Sequence, residues 1–373
     1  MEDKQLHIVA LNIPYPPNYG GTIDIFYKIK ALSELGIKIH LHCFQYGRME
    51  AEELDLLCSS VHYYPRKMHW RHLFSKTPFI VKSRKSKKLL ENLKKINAPI
   101  LYEGLHTCYY LNHSKLKQRP QFVRAHNIES DYYRILAKGE KKLIDKLFLF
   151  SEYLKIRAYE KKLNNARGIL SISLKDHQHF NNADKSTYIK AFHPDTKITS
   201  KEGVGEYAIY HGNLSVAENE NAALFLIHKV FSKIDFPLVI AGFKPSKYLR
   251  KEVNKHRYIR IVESPEASVL NNIIENAQMQ VLHTQQDTGI KLKLLKSLHK
   301  GRHCIVNGKM VRDTGLENAC HIVEKAKDWI SKIKMLEDVP FCSEEIEKRT
   351  RLLKEFNCKN EAKKIIRLIY PQE

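Results

Sequence analysis

Long apolar runs are missing from this chain. Stretches such as Phe236-Pro-Leu-Val-Ile-Ala241 fall far short of the roughly 20 residues a spanning helix needs. No basic segment followed by an apolar core opens the sequence, so a secretory leader is not expected. Cysteines are few and scattered: seven, at 43, 58, 108, 304, 320, 342 and 358, with no Cys-x-x-Cys pair. That pattern argues against a zinc knuckle or a disulfide framework, and a reduced, soluble, cytoplasmic protein is expected. Also absent are a Gly-x-Gly-x-x-Gly fingerprint, a Gly-x-Ser-x-Gly elbow and a His-Glu-x-x-His zinc motif. Residues 301–309 imitate a P-loop but place six residues between Gly301 and Gly308, and Met310 follows Lys309. No Asp-x-Asp occurs, and the pairs His40/His42, His69/His72 and His177/His179 lack acidic or thiol companions at ligand spacing. No metal site is therefore expected.

Acidic residues are also scarce. The chain carries 41 Asp+Glu against 63 Lys+Arg, a net charge of +22 with histidine neutral. Such an excess favours anionic partners: nucleic acid, a phospholipid surface or phosphorylated substrates. No zinc-finger, RRM-type or helix-turn-helix signature accompanies it, so no nucleic-acid partner is expected.

What is present is enough apolar material for two cores. Of 373 residues, 43% are hydrophobic and 10% aromatic. Single cores stop growing at roughly 250–300 residues, so two domains are expected. An apolar strand over 6–11 leads into the loop Pro14-Tyr-Pro-Pro-Asn-Tyr-Gly-Gly-Thr22. Thr22 then caps a helix carrying Ile25, Phe26, Ile29 and Leu32 at helical spacing, and Gly36 stops it. A second strand over 37–44 completes a βαβ unit, which builds parallel sheets. Further strands are expected at 61–64, 100–102, 122–125, 168–172 and 187–189, with one long helical stretch over 129–165. The polar segment 193–205, with Pro194, Gly203 and Gly205, reads as a linker. A second set follows, with strands at 207–210, 237–241, 259–262, 280–282, 303–306 and 321–323. Its helices are expected near 217–231, 266–276 and 290–299, and 343–369 is helical and basic.

The fold class expected is therefore α/β, with two Rossmann-like parallel-sheet domains, 1–192 and 206–350, facing a cleft. Ligands in such folds sit at strand C-termini and helix N-termini. Three places meet that condition. Gly20 and Gly21 open a helix after the first strand. His126 ends the strand Phe122-Val-Arg-Ala125. Thr288-Gly-Ile-Lys-Leu-Lys-Leu-Leu-Lys296 follows another strand, with Asp287 or Thr288 as cap and Leu292, Leu295 and Leu298 as its buried face.

Together these features resemble the GT-B glycosyltransferases, most closely the retaining enzymes of glycosyltransferase family 4. Five stretches carry the resemblance in order along nearly the whole chain. They are the Gly20-Gly21 loop, Val123-Arg-Ala-His-Asn127, the stretch from Tyr159-Glu160 to Ser171-Ile-Ser173, Tyr210-His-Gly-Asn-Leu214, and Thr288 to Lys296 with Gly301 beyond. Leu238-Val-Ile-Ala-Gly242 resembles the family's strand before a glycine turn.

The resemblance implies transfer of a sugar from a nucleotide-sugar donor to a glycan or lipid-linked acceptor. The anomeric configuration is retained, and neither metal nor cofactor takes part. It implies a donor held mostly by the C-terminal domain and an acceptor by the N-terminal domain, onto which a last helix, about 354–373, crosses back. His126 would stand beside the transferred sugar as the catalytic group. Gly20, Gly21, Gly212, Asn213, Thr288, Gly289, Ile290, Lys291, Lys293 and Lys296 would surround the donor and its phosphates.

Four positions depart from the family. Its Arg after the first C-domain strand is Asn213, its following Lys is Glu218, and its two carboxylates are Thr288 and Lys296. A catalytically degenerate binding or scaffold subunit is thus the alternative reading. Acceptor lipids also give the charge a place: Trp70, Arg71, Lys82, Arg84, Lys85, Lys87 and Lys88 interleave basic and aromatic groups, as suits an anionic inner-membrane face.

Overall fold

The computed structural model describes residues 4–181, 184–285 and 291–371. The chain divides into two compact units, Met1–Pro194 with Phe356–Glu373, and Asp195–Glu355. In the first unit seven short, apolar strands pair in parallel. They are β1 (Gln5–Ala10), β2 (Lys38–Gln45), β3 (Ser60–Pro65), β4 (Ile100–Glu103), β5 (Gln121–Ala125), β6 (Gly168–Ser171) and β7 (Ser186–Tyr188), in the order β3-β2-β1-β4-β5-β6-β7. Alternation along the strands feeds two cores. Val9, Tyr102, Val123 and Ile169 face one side. Ile8, Leu101, Phe122 and Leu170 face the other, where helices Gly20–Glu34 and Cys358–Ile369 add Ile25, Ile29, Leu32, Ala362, Ile365 and Ile369. Covering both faces is what a parallel sheet requires.

The second unit repeats the plan with β8 (Ala208–Asn213), β9 (Leu238–Phe243), β10 (Ile259–Glu263), β11 (Met279–Leu282), β12 (His303–Val306) and β13 (His321–Ile322). Their order is β10-β9-β8-β11-β12-β13. In each sheet the strand order reverses once, between β1 and β4 and between β8 and β11. A crevice for ligands opens at such switch points, at the strands' C-terminal ends.

Among the described residues each strand's ends lie within two residues of the sequence expectation, except that β8 runs to Asn213, three residues beyond the expected end. Three local readings are corrected. Thr22 is not the cap of the first helix. Tyr19 is, and the Thr22 hydroxyl sits at the third helical position, accepting from Tyr19 N at 3.3 Å and donating to Tyr19 O at 2.9 Å. The helical stretch 129–165 is two helices, Glu129–Gly139 and Leu143–Glu160, followed by a 3-10 segment Lys161–Asn165. The break comes at Glu140, whose backbone is extended and whose carboxylate accepts from the N–H groups of Lys141 and Lys142 at 2.8 and 2.9 Å. Gly242 is not a turn glycine: it lies inside β9, where a Cβ would stand 1.8 Å from the carbonyl oxygen of Gly212. No helix among the described residues is long and apolar enough to cross a membrane.

The first sheet also buries a chain of imidazoles. His7 Nδ1 lies 3.0 Å from His42 Nε2, and His42 Nδ1 lies 2.8 Å from the Tyr64 hydroxyl. Burial pushes His7 down to about 4, and it holds His42 well below its usual range. The unfolded chain protonates these rings below about 6.5, while the native state leaves His7 neutral down to about 4. Stability is therefore full above pH 6.5 and is lost as the pH falls towards 4, by roughly 2 kcal/mol at pH 5 from His7 alone. Urea unfolding at pH 7.5 and pH 5.0 measures this. Equal midpoints at the two values would contradict it.

Candidate active site

One polar cluster is built at the switch point of the seven-stranded sheet. Helix Gly20–Glu34 starts after β1 and places Asp24 and Lys28 one turn apart. Glu103 ends β4, Arg124 lies in β5 opposite it in register, and His126 follows β5. Asp24, Lys28, Glu103 and Arg124 are wholly buried, and 9% of the His126 side chain is exposed. Charges at such depth persist only when paired.

The pairing is complete. Arg124 forks onto Asp24, Nε to Oδ2 at 3.1 Å and Nη2 to Oδ1 at 2.9 Å, and its Nη1 donates to Ile189 O at 2.6 Å. Lys28 Nζ stands 2.9 Å from Asp24 Oδ2 and 2.9 Å from Glu103 Oε1. Burial by itself would raise the Asp24 carboxyl, but Arg124, Lys28 and His126 hold it far below its usual value. Burial likewise opposes the fall of Glu103, which Lys28 and the hydrogen bond from His126 bring about.

These partners fix the imidazole. His126 Nε2 lies 3.0 Å from Glu103 Oε2. An ionised carboxylate only accepts, so Nε2 carries the proton. His126 Nδ1 lies 3.9 Å from Asp24 Oδ2, beyond hydrogen-bond reach. Gly104 makes room beside the ring. Its φ of +75° is left-handed, and a Cβ there would lie 3.1 Å from His106 Nδ1 and 3.7 Å from His126 Cδ2. Gly20 and Gly21 form the first turn of the helix, and nothing lies within 4 Å of a Cβ on Gly20.

Asp24, Glu103 and His126 offer three ligand atoms within 4.8 Å of one another, a possible cation set. The Lys28 ammonium already bridges the two carboxylates, so a divalent ion would have to displace a fully buried, doubly paired cation. The donor set is therefore a poor fit for a metal.

Another polar cluster lies at the switch point of the six-stranded sheet. Lys293, on helix Leu292–Lys300, donates to Asn219 Oδ1 at 2.6 Å and to the Tyr210 hydroxyl at 3.3 Å, with its ammonium 5.1 Å from the Tyr210 ring centre. Burial lowers Lys293 to about 8 against the pull of Glu218. A Cβ on Gly212 would meet Asn219 at 3.4 Å and Lys293 Nζ at 3.5 Å. Asn213 ends β8 and accepts from Ser215 N and Oγ at 3.1 and 2.7 Å. Glu218 accepts from the Thr284 hydroxyl. Lys296 Nζ donates to Asn271 Oδ1 at 3.2 Å, and burial lowers its pKa. Lys291 occupies the N-cap position of this helix, with no side-chain hydrogen bond to the helix N–H groups. The helix buries Leu294, Leu295 and Leu298, while Leu292 is only half-buried, so the expected face is shifted. Asp287, Thr288, Gly289 and Ile290 lie outside the described residues.

The expected basic face is corrected at one position. Arg84 is 3% exposed and donates to Leu11 O at 3.0 Å and Ile80 O at 2.6 Å. Its guanidinium serves carbonyls just past β1 and inside helix Phe79–Lys82, and burial lowers it to about 9. Trp70, Arg71, Lys85, Lys87 and Lys88 are exposed and Lys82 is half-buried. Lys82 and Lys85 stand 5.7 and 5.5 Å from the Tyr109 ring centre.

The sequence reading missed Asp24, Lys28, Glu103 and Arg124. Two signals pointed to three of them. Asp24 and Lys28 adjoin the apolar stripe Ile25, Ile29 and Leu32, and Arg124 interrupts an otherwise apolar strand.

No family model matches the chain. A curated relative, described as an uncharacterized 44.6 kDa protein in the cps region of Klebsiella pneumoniae, is 25% identical over 315 residues, 78% of this chain and 79% of the relative. A solved S. aureus TarM mutant, in complex with fondaparinux, alpha-GlcNAc-glycerol and UDP, is 10% identical with a TM-score of 0.68, over 98% of this chain and 100% of that one. Sucrose-phosphate synthase from Thermosynechococcus elongatus is 13% identical with a TM-score of 0.68, over 98% of each chain. The fold is that of the GT-B glycosyltransferases.

Proposed function

We propose that this chain is a glycosyltransferase that moves a sugar from a nucleotide-sugar donor to a glycan or lipid-linked acceptor. It retains the anomeric configuration, needs no metal, and works in cell-surface polysaccharide synthesis at the cytoplasmic side of a membrane. The observation that carries this reading is the polar cluster at each sheet's switch point, in a chain that matches a UDP complex of this fold over 98% of its length. The relative in a cps region supports the polysaccharide setting.

The second unit takes the donor. As the bond to the sugar breaks, negative charge grows on the leaving phosphate. Lys293 supplies a fixed cation there, and the N-terminus of helix Leu292–Lys300 adds its dipole. Gly212 keeps a side chain away from Lys293 Nζ, which a Cβ there would approach to 3.5 Å, and Gly20 and Gly21 leave backbone N–H groups for an anion or for the acceptor. In the first unit His126 serves the transferred sugar. Nε2 is occupied by Glu103, so Nδ1 is the atom left to accept from or donate to a sugar hydroxyl.

Lys293 gives the test. Lys293→Ala should weaken nucleoside diphosphate binding on the order of ten- to a hundredfold, the value of a charge-assisted hydrogen bond. Because Lys293 loses its proton near pH 8, wild-type affinity should fall as the pH rises above that value, and the variant should show no such fall. Calorimetry across pH 7–9.5 reads both. One observation favours the alternative, a non-catalytic binding subunit: Asn213 and Glu218 are turned to internal partners. An absence of heat with every nucleotide and nucleotide sugar at millimolar concentration would support that alternative.

A further inference from the structure

The helix pair Glu129–Gly139 and Leu143–Glu160 ends in a tip that the first unit does not cover. Leu143, Ile144, Leu147, Phe148, Phe150 and Leu154 are 70, 82, 61, 37, 51 and 49% exposed. Their spacing, i, i+1, i+4, i+5, i+7 and i+11, puts them on one broad helical face. Scattered exposed apolar residues are ordinary, but a contiguous face of this kind marks an interaction site.

The charges around the tip say what covers it. Between 131 and 150 the exposed cations are Arg134, Lys138, Lys141, Lys142 and Lys146, against Asp131, which pairs with Arg134 at 2.8 Å, and Glu140 and Asp145. A second copy of the chain would set this positive patch against itself, because a two-fold contact joins identical surfaces. An anionic bilayer supplies both what the face lacks: hydrocarbon for the aliphatic and phenyl groups, and phosphates for the cations. The neighbouring turn Trp70–Phe74 adds interfacial aromatics, with Trp70 62% and Phe74 80% exposed. It is held to the pair by Lys155 Nζ donating to Leu73 O at 2.6 Å.

We infer that this helical tip inserts into the headgroup region of an anionic lipid bilayer and anchors the enzyme there as a monotopic protein. The pair is rooted at the candidate site. Its first helix begins just past His126, and Glu160, at the end of its second helix, accepts from Ser130 N at 2.9 Å and Ser130 Oγ at 2.7 Å. The tip would thus fix the His126 end of the sheet near the membrane, where a lipid-linked acceptor lies. That last step rests on the transferase reading; the anchoring does not.

Flotation of the full chain with vesicles tests it. Wild type should float with mixed phosphatidylglycerol and phosphatidylcholine vesicles, less so at high salt, and poorly with phosphatidylcholine alone. Ile144→Glu/Leu147→Glu/Phe148→Glu changes only exposed positions and should retain the wild-type circular dichroism. It should reduce partition on the order of a hundredfold. Lys138→Glu/Lys141→Glu/Lys142→Glu should remove the salt-sensitive part. Unchanged flotation of the apolar triple variant would overturn the inference. So would a wild type that ignores both vesicles and sediments as a dimer that the same variant breaks. No donor or acceptor enters the assay, so its failure is separate from a failure of the transferase reading, which nucleotide calorimetry reports.

Discussion

His126→Ala should lower sugar transfer on the order of 10²–10³-fold while leaving nucleotide affinity close to wild type. The magnitude is that of one preorganised polar contact made in the transition state. Preorganisation is visible in the structure. Glu103 fixes the Nε2 proton, Lys28 fixes Glu103, and Gly104 gives the ring its space. In the proposed reading the second unit holds the nucleotide through residues the substitution does not touch, so kcat should fall without a matching change in nucleotide Kd. Turnover equal to wild type would remove His126 from the chemistry and leave it a structural partner of Glu103. Glu103→Gln separates the two roles further. An amide at this position can still meet Nε2, but it no longer stabilises charge on the ring, so activity should fall while the fold persists.

Lys28→Met should destabilise the protein by about 3–5 kcal/mol, the usual result of removing one partner from a buried ionic cluster. Asp24 and Glu103 would then face each other without the ammonium that bridges them at 2.9 Å to each. The pH dependence tells this effect from simple loss of packing. In the wild type both carboxyls titrate below their ordinary values of 3.8 and 4.5, so their contribution is full at neutral pH and is lost as the pH falls through the lowered values. In the variant Glu103 should take up its proton at a higher pH, so the stability deficit should shrink on acidification. Urea denaturation at pH 7 and pH 4.5 reads the difference. A deficit that is equal at both pH values, or below about 1 kcal/mol, would show that the bridge contributes little.

The thirteen strands were legible because each is a short apolar run closed by polar or turn residues, as parallel strands buried on both faces must be. Their alternation with helices gave the two sheets. The break at Glu140 was not legible. Apolar spacing continues on both sides of it, and only the carboxylate's bonds to two successive N–H groups mark the turn. Periodicity also finds an apolar face without saying whether anything covers it, and the apolar residues of 143–154 are largely exposed.

At the candidate site, the sequence singles out His126 and Lys293 because each sits where strand ends and helix starts put ligand groups. Their supports were not. Glu103 and Arg124 lie 75 to 100 positions from the helix residues they pair with, and no local pattern links them. Arg84 was misplaced for the opposite reason. A run of surface lysines surrounds it, and its burial depends on the carbonyls of Leu11 and Ile80.

Sugar transfer from a nucleotide donor must free a nucleoside diphosphate. Release of nucleoside diphosphate from a panel of nucleotide sugars, measured with and without a bacterial membrane lipid extract, tests it most directly. The expected result is release with at least one donor, stimulated by the extract, unaffected by chelator and lowered on the order of 10²–10³-fold in His126→Ala. No release from any donor, in wild-type protein that also fails to bind nucleotides, would contradict the account.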